Sequence, residues 1–200
     1  MSRKLWTCTQ LHTWNSKADD VERPDRIVFD LDPGRGVAWS SLVVAAAHVR
    51  EALGAVGLKS WVKTTGGKGL HVVVPLEPNA GWDECFAFTR SLAEKMAAEA
   101  PNELVATMGE GNRVGKIFID YLRNNRTATS VAAYSTRART GAPVSTPIAW
   151  SALTASKPLA FGMDDAVART GDEWRSYWTC RQRLPQAPSA RGTRAPGRRK

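Results

Sequence analysis

Cysteine is scarce in this chain of 200 residues: Cys8, Cys85 and Cys180 are odd in number, widely spaced and form no Cys-x-x-Cys pair. That excludes a disulfide framework and a cysteine zinc site, and leaves reduced thiols. Long apolar runs are missing too. The longest candidate, over 42–47, is followed by His48 and Arg50 and falls far short of a membrane span. No apolar segment of a secretory signal follows Met1-Ser2-Arg3-Lys4, so the reading is a cytoplasmic, nucleoid-associated protein with no membrane partner. There is no internal repeat. Acidic residues are absent from 181–200, which hold seven of the 28 basic ones; the rest of the chain carries 21 basic against 19 acidic residues, about +2 of a net +9. The positive charge is therefore mostly a property of the end of the chain. Its Pro, Gly, Ser and Ala content divides the sequence into a folded domain over 1–183 and a basic disordered tail over 184–200. Such a tail attracts nucleic acid through the phosphates, with a merely solubilising terminus as the competing reading.

What is present reads as one soluble folded unit, with 42% hydrophobic and 24% charged residues. Leu42, Val43, Ala46, Val49, Leu53 and Val56 recur at three and four residue spacings and predict a helix over 37–56, closed by Gly57. A second helix is predicted over 81–100, and short ones over 150–153, 164–169 and 172–178. Strands are predicted over 58–63, 70–75 and 129–136, and a loosely alternating stretch over 5–14 could be another, with His12 near its end. Helices interleave with strands, but hairpins occur as well, so the fold class is a mixed α+β sheet.

Three aspartates end two further strands: Asp30 and Asp32 in Phe29-Asp30-Leu31-Asp32-Pro33-Gly34, and Asp120 in Ile117-Phe118-Ile119-Asp120-Tyr121-Leu122. Alternation along a strand puts Asp30 and Asp32 on one face, and Pro33-Gly34 stops the strand beyond them. Carboxylates so placed suit magnesium or manganese, whose two-ion sites clamp the attacking and leaving oxygens of a phosphoryl transfer. A solvated strand end bonding its own turn is the bland alternative. The loop Thr65-Gly66-Gly67-Lys68-Gly69-Leu70-His71 is the second signal: its glycines let backbone N–H groups approach a phosphate chain, Lys68 adds charge, and His71 can face back toward it. It lacks P-loop spacing, and a flexible hairpin is the competing reading. Arg123, Arg126, Arg137 and Arg139 follow Asp120, and guanidinium forks beside metal carboxylates suit a triphosphate or a nucleic-acid backbone, with a solvated basic face as the competing reading.

In this order the motifs resemble the polymerase domain of bacterial DNA ligase D, in the archaeo-eukaryotic primase superfamily. The residues that carry the resemblance are His12-Thr13-Trp14, Phe29-Asp30-Leu31-Asp32-Pro33, Lys63-Thr64-Thr65-Gly66-Gly67-Lys68-Gly69-Leu70-His71 and Ile117-Phe118-Ile119-Asp120-Tyr121-Leu122-Arg123-Asn124. The likeness implies a primase-like sheet flanked by helices and nucleotide addition to DNA ends in non-homologous end joining. It implies two Mn2+ or Mg2+ ions on Asp30, Asp32 and Asp120, and a nucleoside triphosphate substrate. Thr65, Lys68 and His71 would hold the triphosphate, with Arg123, His12, Arg137 and Arg139 lining the same pocket.

Two departures accompany the resemblance. The family generally has serine where this chain has Thr65, and its domain begins well upstream of the His-Thr-Trp segment. The chain is therefore expected to lack the amino-terminal part of the domain, with a ligase, Ku or a chain supplying that part as possible partners, and with exposed apolar surface where it packs. A truncated, non-catalytic nucleic-acid-binding scaffold is the alternative function. A haloacid-dehalogenase-like phosphatase is the minor one, resting on Asp-x-Asp and Gly162-Met163-Asp164-Asp165.

Overall fold

The computed structural model describes residues 10–169 and 172–185. In chain order the strands and α-helices are β1 (His12–Thr13), β2 (Ser16–Lys17), β3 (Asp20–Pro24), β4 (Arg26–Pro33), α1 (Trp39–Ala55), β5 (Trp61–Thr64), β6 (Leu70–Pro75), α2 (Trp82–Glu99), β7 (Leu104–Val105), β8 (Ile117–Asp120), β9 (Ser130–Val131), β10 (Pro147–Ile148), α3 (Met163–Ala168) and α4 (Arg175–Thr179). Six strands form the main sheet in the order β10-β5-β6-β4-β8-β7, antiparallel except for the β7–β8 pair. Two small ribbons, β1–β9 and β2–β3, stand apart from it.

Alternation divides the sheet into two unlike faces. Ile27, Phe29 and Leu31 of β4, Val62 of β5, Leu70, Val72 and Val74 of β6 and Ile117 and Ile119 of β8 point to one side. There they form one buried core with Leu42, Ala46, Val49 and Leu53 of α1 and Cys85, Ala93 and Met96 of α2. On the opposite face an apolar end, Val28, Trp61 and Val73, is covered by Trp174 and Tyr177. The other end of that face is polar and carries the aspartates. The mixed α+β class and the helix-flanked sheet agree with the sequence reading.

Local chemistry sets the boundaries. α1 closes at Gly57, which takes φ +81° as a left-handed helix stop. α2 opens with the Gly81 N–H donating to the Glu84 carboxylate at 2.8 Å, half of a capping box. β5 begins at Trp61 rather than at 58 because the Gln182 side chain takes up the Lys59 N–H and C=O, at 2.9 and 2.8 Å. The strand predicted over 129–136 shrinks to Ser130–Val131: the chain turns at Ala132 to Ser135, with Tyr134 at φ +62°. The stretch over 150–153 forms a 3-10 turn over Trp150–Ala152, and that over 172–178 a 3-10 turn over Asp172–Trp174 followed by α4. The 5–14 stretch lies partly outside the described residues, and within them only β1 is strand. Leu184 is buried in the helix-side core, one residue past the expected end of the domain, and the rest of the basic tail from 186 lies outside the described residues. Among the described residues, no helix is long and apolar enough to cross a membrane.

Candidate active site

Strand register builds the floor of the site. Lys63 of β5, His71 of β6, Asp30 of β4 and Asp120 of β8 are direct cross-strand partners in a single row. Directly opposed residues share a face, so all four project from the side away from α1 and α2. Asp32 follows two residues along β4 on that face. One carboxylate oxygen from each of Asp30, Asp32 and Asp120 falls within 4.8 Å of the others. Like charges facing each other across a sheet repel, and this cluster is buried enough for that to matter.

The protonation preferences follow from that crowding. Asp32 is pushed up to about 6, first by burial and then by Asp30 and Asp120. Burial also raises Asp120, against the pull of Arg123. Burial opposes ionisation of Asp30 as well, but His71, Arg123 and Lys63 outweigh it and hold the carboxyl well below the usual range. Burial, with Lys63 adding to it, lowers His71 below its ordinary value. When the imidazole is neutral, Arg123 and Lys63 supply the positive potential on Asp30.

Arg123 is placed by the turn that ends β8. The Asp120 Oδ1 accepts the Leu122 N–H at 2.9 Å, starting a 3-10 turn over Leu122–Asn124. Where β8 stops pairing with β4, the Asn124 side chain takes over. Its Oδ1 accepts the Val28 N–H and its Nδ2 donates to the Val28 carbonyl, both at 2.8 Å. Asn15 braces the turn by donating to Asn124 Oδ1 at 3.2 Å and to the Arg123 carbonyl at 3.1 Å. The Arg123 Nε thus lies 3.2 Å from Asp30 Oδ2 and 3.1 Å from Asp120 Oδ2.

The glycine loop forms the next wall. The Thr65 hydroxyl donates to the Gly69 carbonyl at 3.1 Å and accepts the Gly67 N–H at 3.2 Å. Arg137 Nη1 donates to the Thr65 carbonyl at 2.6 Å, joining the arginine segment to the loop. Gly69 has no alternative residue, because a Cβ there would meet the Leu31 carbonyl oxygen at 2.6 Å. Thr65 therefore shapes the loop with its hydroxyl. His71 lies in the floor beside Asp30 rather than in the loop wall, its Nε2 3.3 Å from Asp30 Oδ1.

Above the floor, a cavity of about 300 Å³ is lined by His12, Asp30, Asp32, Thr65, Lys68, His71, Arg123, Arg137 and Arg139. These are nine of the ten residues that the family resemblance assigns to the site; Arg126, singled out with the other arginines, pairs with Glu22 instead. The tenth, Asp120, is 5% exposed and reaches the others through the carboxylate cluster. His12 arrives on the β1–β9 ribbon, opposite Val131. Burial, then Arg137, Arg123 and Lys63, lower its imidazole.

Sequence reasoning missed Arg113, which also lines the cavity. Its Nη1 lies 3.8 Å from Asp32 Oδ2 and its guanidinium rests over the Phe118 ring. Gly34 holds that segment close, since a Cβ there would meet the Arg113 carbonyl oxygen at 1.6 Å. Only proximity to the glycine-rich stretch hinted at it. Asn124 and Lys63 were visible as polar residues inside motifs, but their roles depend on tertiary pairing.

The carboxylates fit a divalent ion. Asp30 Oδ1 is buried with no aligned hydrogen bond, the His71 Nδ1 is likewise without a partner, and the donor set is oxygen throughout. The cavity's cations complement an anionic substrate.

Comparison with known proteins gives the family and the fold. A family model described as LigD, primase-polymerase domain, matches residues 4–178. A multifunctional non-homologous end joining protein LigD from Pseudomonas aeruginosa is 41% identical over 186 residues, covering 89% of this chain and 22% of that protein. The bifunctional LigD of Bacillus subtilis is 31% identical over 179 residues, covering 84% of this chain and 28% of that protein. The chain thus spans under a third of the length of these curated relatives. The solved polymerase domain of Mycobacterium tuberculosis ligase D, in complex with DNA, superposes with a TM-score of 0.72 at 32% identity, covering 75% of this chain and 52% of that one. The chain belongs to the LigD primase-polymerase domain family.

Proposed function

We propose that this chain is a nucleotidyltransferase of DNA double-strand break repair, adding nucleotides to DNA ends in non-homologous end joining. One observation carries the reading. Three carboxylates converge beneath a cavity whose remaining charged wall, Lys68, Arg113, Arg123, Arg137 and Arg139, is cationic. An acidic floor under a basic wall is the arrangement that metal ions and a polyphosphate together require. Family membership argues against the phosphatase alternative.

The residues divide the work. Asp30, Asp32 and Asp120 would hold two divalent ions, Mn2+ or Mg2+, which activate a primer 3′-hydroxyl and neutralise the departing pyrophosphate. The Thr65 hydroxyl keeps the Gly67 and Gly69 backbone in a shape that admits phosphate oxygens, and Lys68, Arg137 and Arg139 provide charge on that side. Arg123 balances the carboxylates and, lining the cavity, would face the nucleotide. His12 closes the cavity from the ribbon. The substrates are a nucleoside triphosphate and a DNA end, with a ligase or Ku as functional partners.

Calorimetric titration with a nucleoside triphosphate tests the pocket directly. The expected result is binding that requires Mn2+ and that Asp120→Ala abolishes. Binding that ignores Mn2+ but falls steeply with salt would point instead to a non-catalytic nucleic-acid scaffold.

A further inference from the structure

Lys63 has the same standing in the sheet as the aspartates, yet the chemistry above uses it only as positive potential on Asp30. It lies on β5, next to His71 in the polar row, and is 4% exposed. Its ammonium donates to the Val131 carbonyl at 2.9 Å and to the Ser145 hydroxyl at 2.7 Å. Both partners are neutral. Burial pushes the amine down to about 7, a sign of how poorly the charge is solvated there. A buried cation with neutral partners is costly, and an apolar side chain of similar length would fill the space more cheaply.

The contact acts on the β1–β9 ribbon. Each of its strands has two residues, too few to hold it over the main sheet by pairing alone; Arg26 ties the β1 side through Thr13 and Trp14, Arg123 reaches Thr129 just before β9, and Lys63 is the tie to β9 itself. Val131 is the cross-strand partner of His12, so pinning the Val131 carbonyl sets the level at which His12 enters the cavity. Space exists for the ribbon to sink. A second, apolar cavity of about 330 Å³, lined by Thr13, Val28, Lys63, Val73 and Val131 among others, lies under the same ribbon and shares Ser130 and Val131 with the catalytic cavity. Ser145 extends the tie to the loop: its hydroxyl donates to the Thr64 carbonyl at 2.9 Å, one residue before Thr65.

We propose that Lys63 is a positioning residue for the reaction, its ammonium holding the His12 ribbon and the approach to the glycine loop at the separation that fits a triphosphate. The proposal rests on the nucleotidyltransferase reading. Lys63 touches no substrate and acts through Val131 and Ser145.

The test uses the full chain with Lys63→Met, which keeps length and removes the donors, and Ser145→Ala, which removes one of the two acceptors. Mn2+-dependent nucleotide addition, DNA binding and amide hydrogen exchange are measured together. The expected result for Lys63→Met is a KM for the nucleoside triphosphate raised about tenfold, the loss that follows removal of a charge-assisted hydrogen bond. With Mn2+ saturating, so that the lost potential on Asp30 does not limit the rate, kcat should change less than threefold, DNA affinity should be unchanged, and exchange should quicken in β1 and β9 but not in β4 and β6. Ser145→Ala should move KM the same way by a smaller factor. An unchanged KM, or a lowered melting temperature with uniform loss of kcat and exchange protection, would overturn the proposal and leave Lys63 a structural residue. Should the variants fail to bind nucleotide at all, exchange still decides, since protection retained in β1 and β9 overturns it. A wild-type chain that neither binds nor adds nucleotide overturns the parent reading instead, whatever the Lys63 variants do.

Discussion

Asp30 and Asp120 face each other directly across the β4–β8 pair, with the Arg123 Nε within 3.2 Å of a carboxylate oxygen of each. Two like charges in register weaken a sheet, and here a guanidinium offsets them. Asp120→Asn removes one charge while keeping an oxygen for the Leu122 N–H. The metal-free melting temperature is expected to hold or rise, and Mn2+ should no longer raise it. Thermal denaturation with and without Mn2+ checks both.

Asp32 gives the site a pH dependence. With its carboxyl raised to about 6, the ionised form is disfavoured in the folded state. Its contribution to stability is therefore fully present below the ordinary carboxyl value and is lost as pH rises through about 6. Divalent ions need the ionised form, so Mn2+ affinity should climb over the same interval. His12 and His71, both lowered, act in the opposite sense over this window, so melting curves from pH 4.5 to 7.5 are compared with those of Asp32→Asn: the part of metal-free stability that depends on Asp32 should fall through about pH 6, and Mn2+ should reverse that fall.

The Thr65 hydroxyl holds the loop through Gly67 and Gly69, and its extra methyl has no part in those bonds. Thr65→Ser should therefore keep nucleotide addition within about threefold of wild type. Thr65→Ala should raise KM for the nucleotide about tenfold, the loss of one to two buried hydrogen bonds. Steady-state kinetics of the two variants distinguishes hydroxyl from methyl.

Asn124 substitutes for a missing strand residue against Val28. Asn124→Ala leaves the buried Val28 N–H and C=O without partners, at a cost of about 3 kcal/mol, and lets Arg123 drift from the carboxylates. Urea denaturation should show that loss. Asn15→Ala, which removes only the brace, should cost less.

Much of this was legible in the sequence, and for identifiable reasons. Helix periodicity gave α1 and α2, and the apolar runs ending in Asp32 and Asp120 gave β4 and β8. The triad was visible because period-two alternation fixes which face Asp30 and Asp32 share. What escaped depends on contacts remote along the chain. Tyr134 with φ +62° folds back a segment of strand-like composition. Gln182 occupies the backbone of Lys59 from 123 residues away and delays β5. Lys63 and Arg113 acquire their roles only when β5, β9 and the segment after β7 meet around the triad.

Primer extension reads nucleotidyl transfer from this cavity without an intermediary. A DNA primer with a free 3′-hydroxyl is incubated with labelled nucleoside triphosphate and Mn2+, using the wild-type chain and folded Asp120→Ala in parallel. Wild type is expected to label the primer in a Mn2+-dependent manner, with a loss of about a hundredfold or more in Asp120→Ala. A folded wild-type chain that adds nothing, or an Asp120→Ala variant that extends as well as wild type, would contradict the nucleotidyltransferase reading.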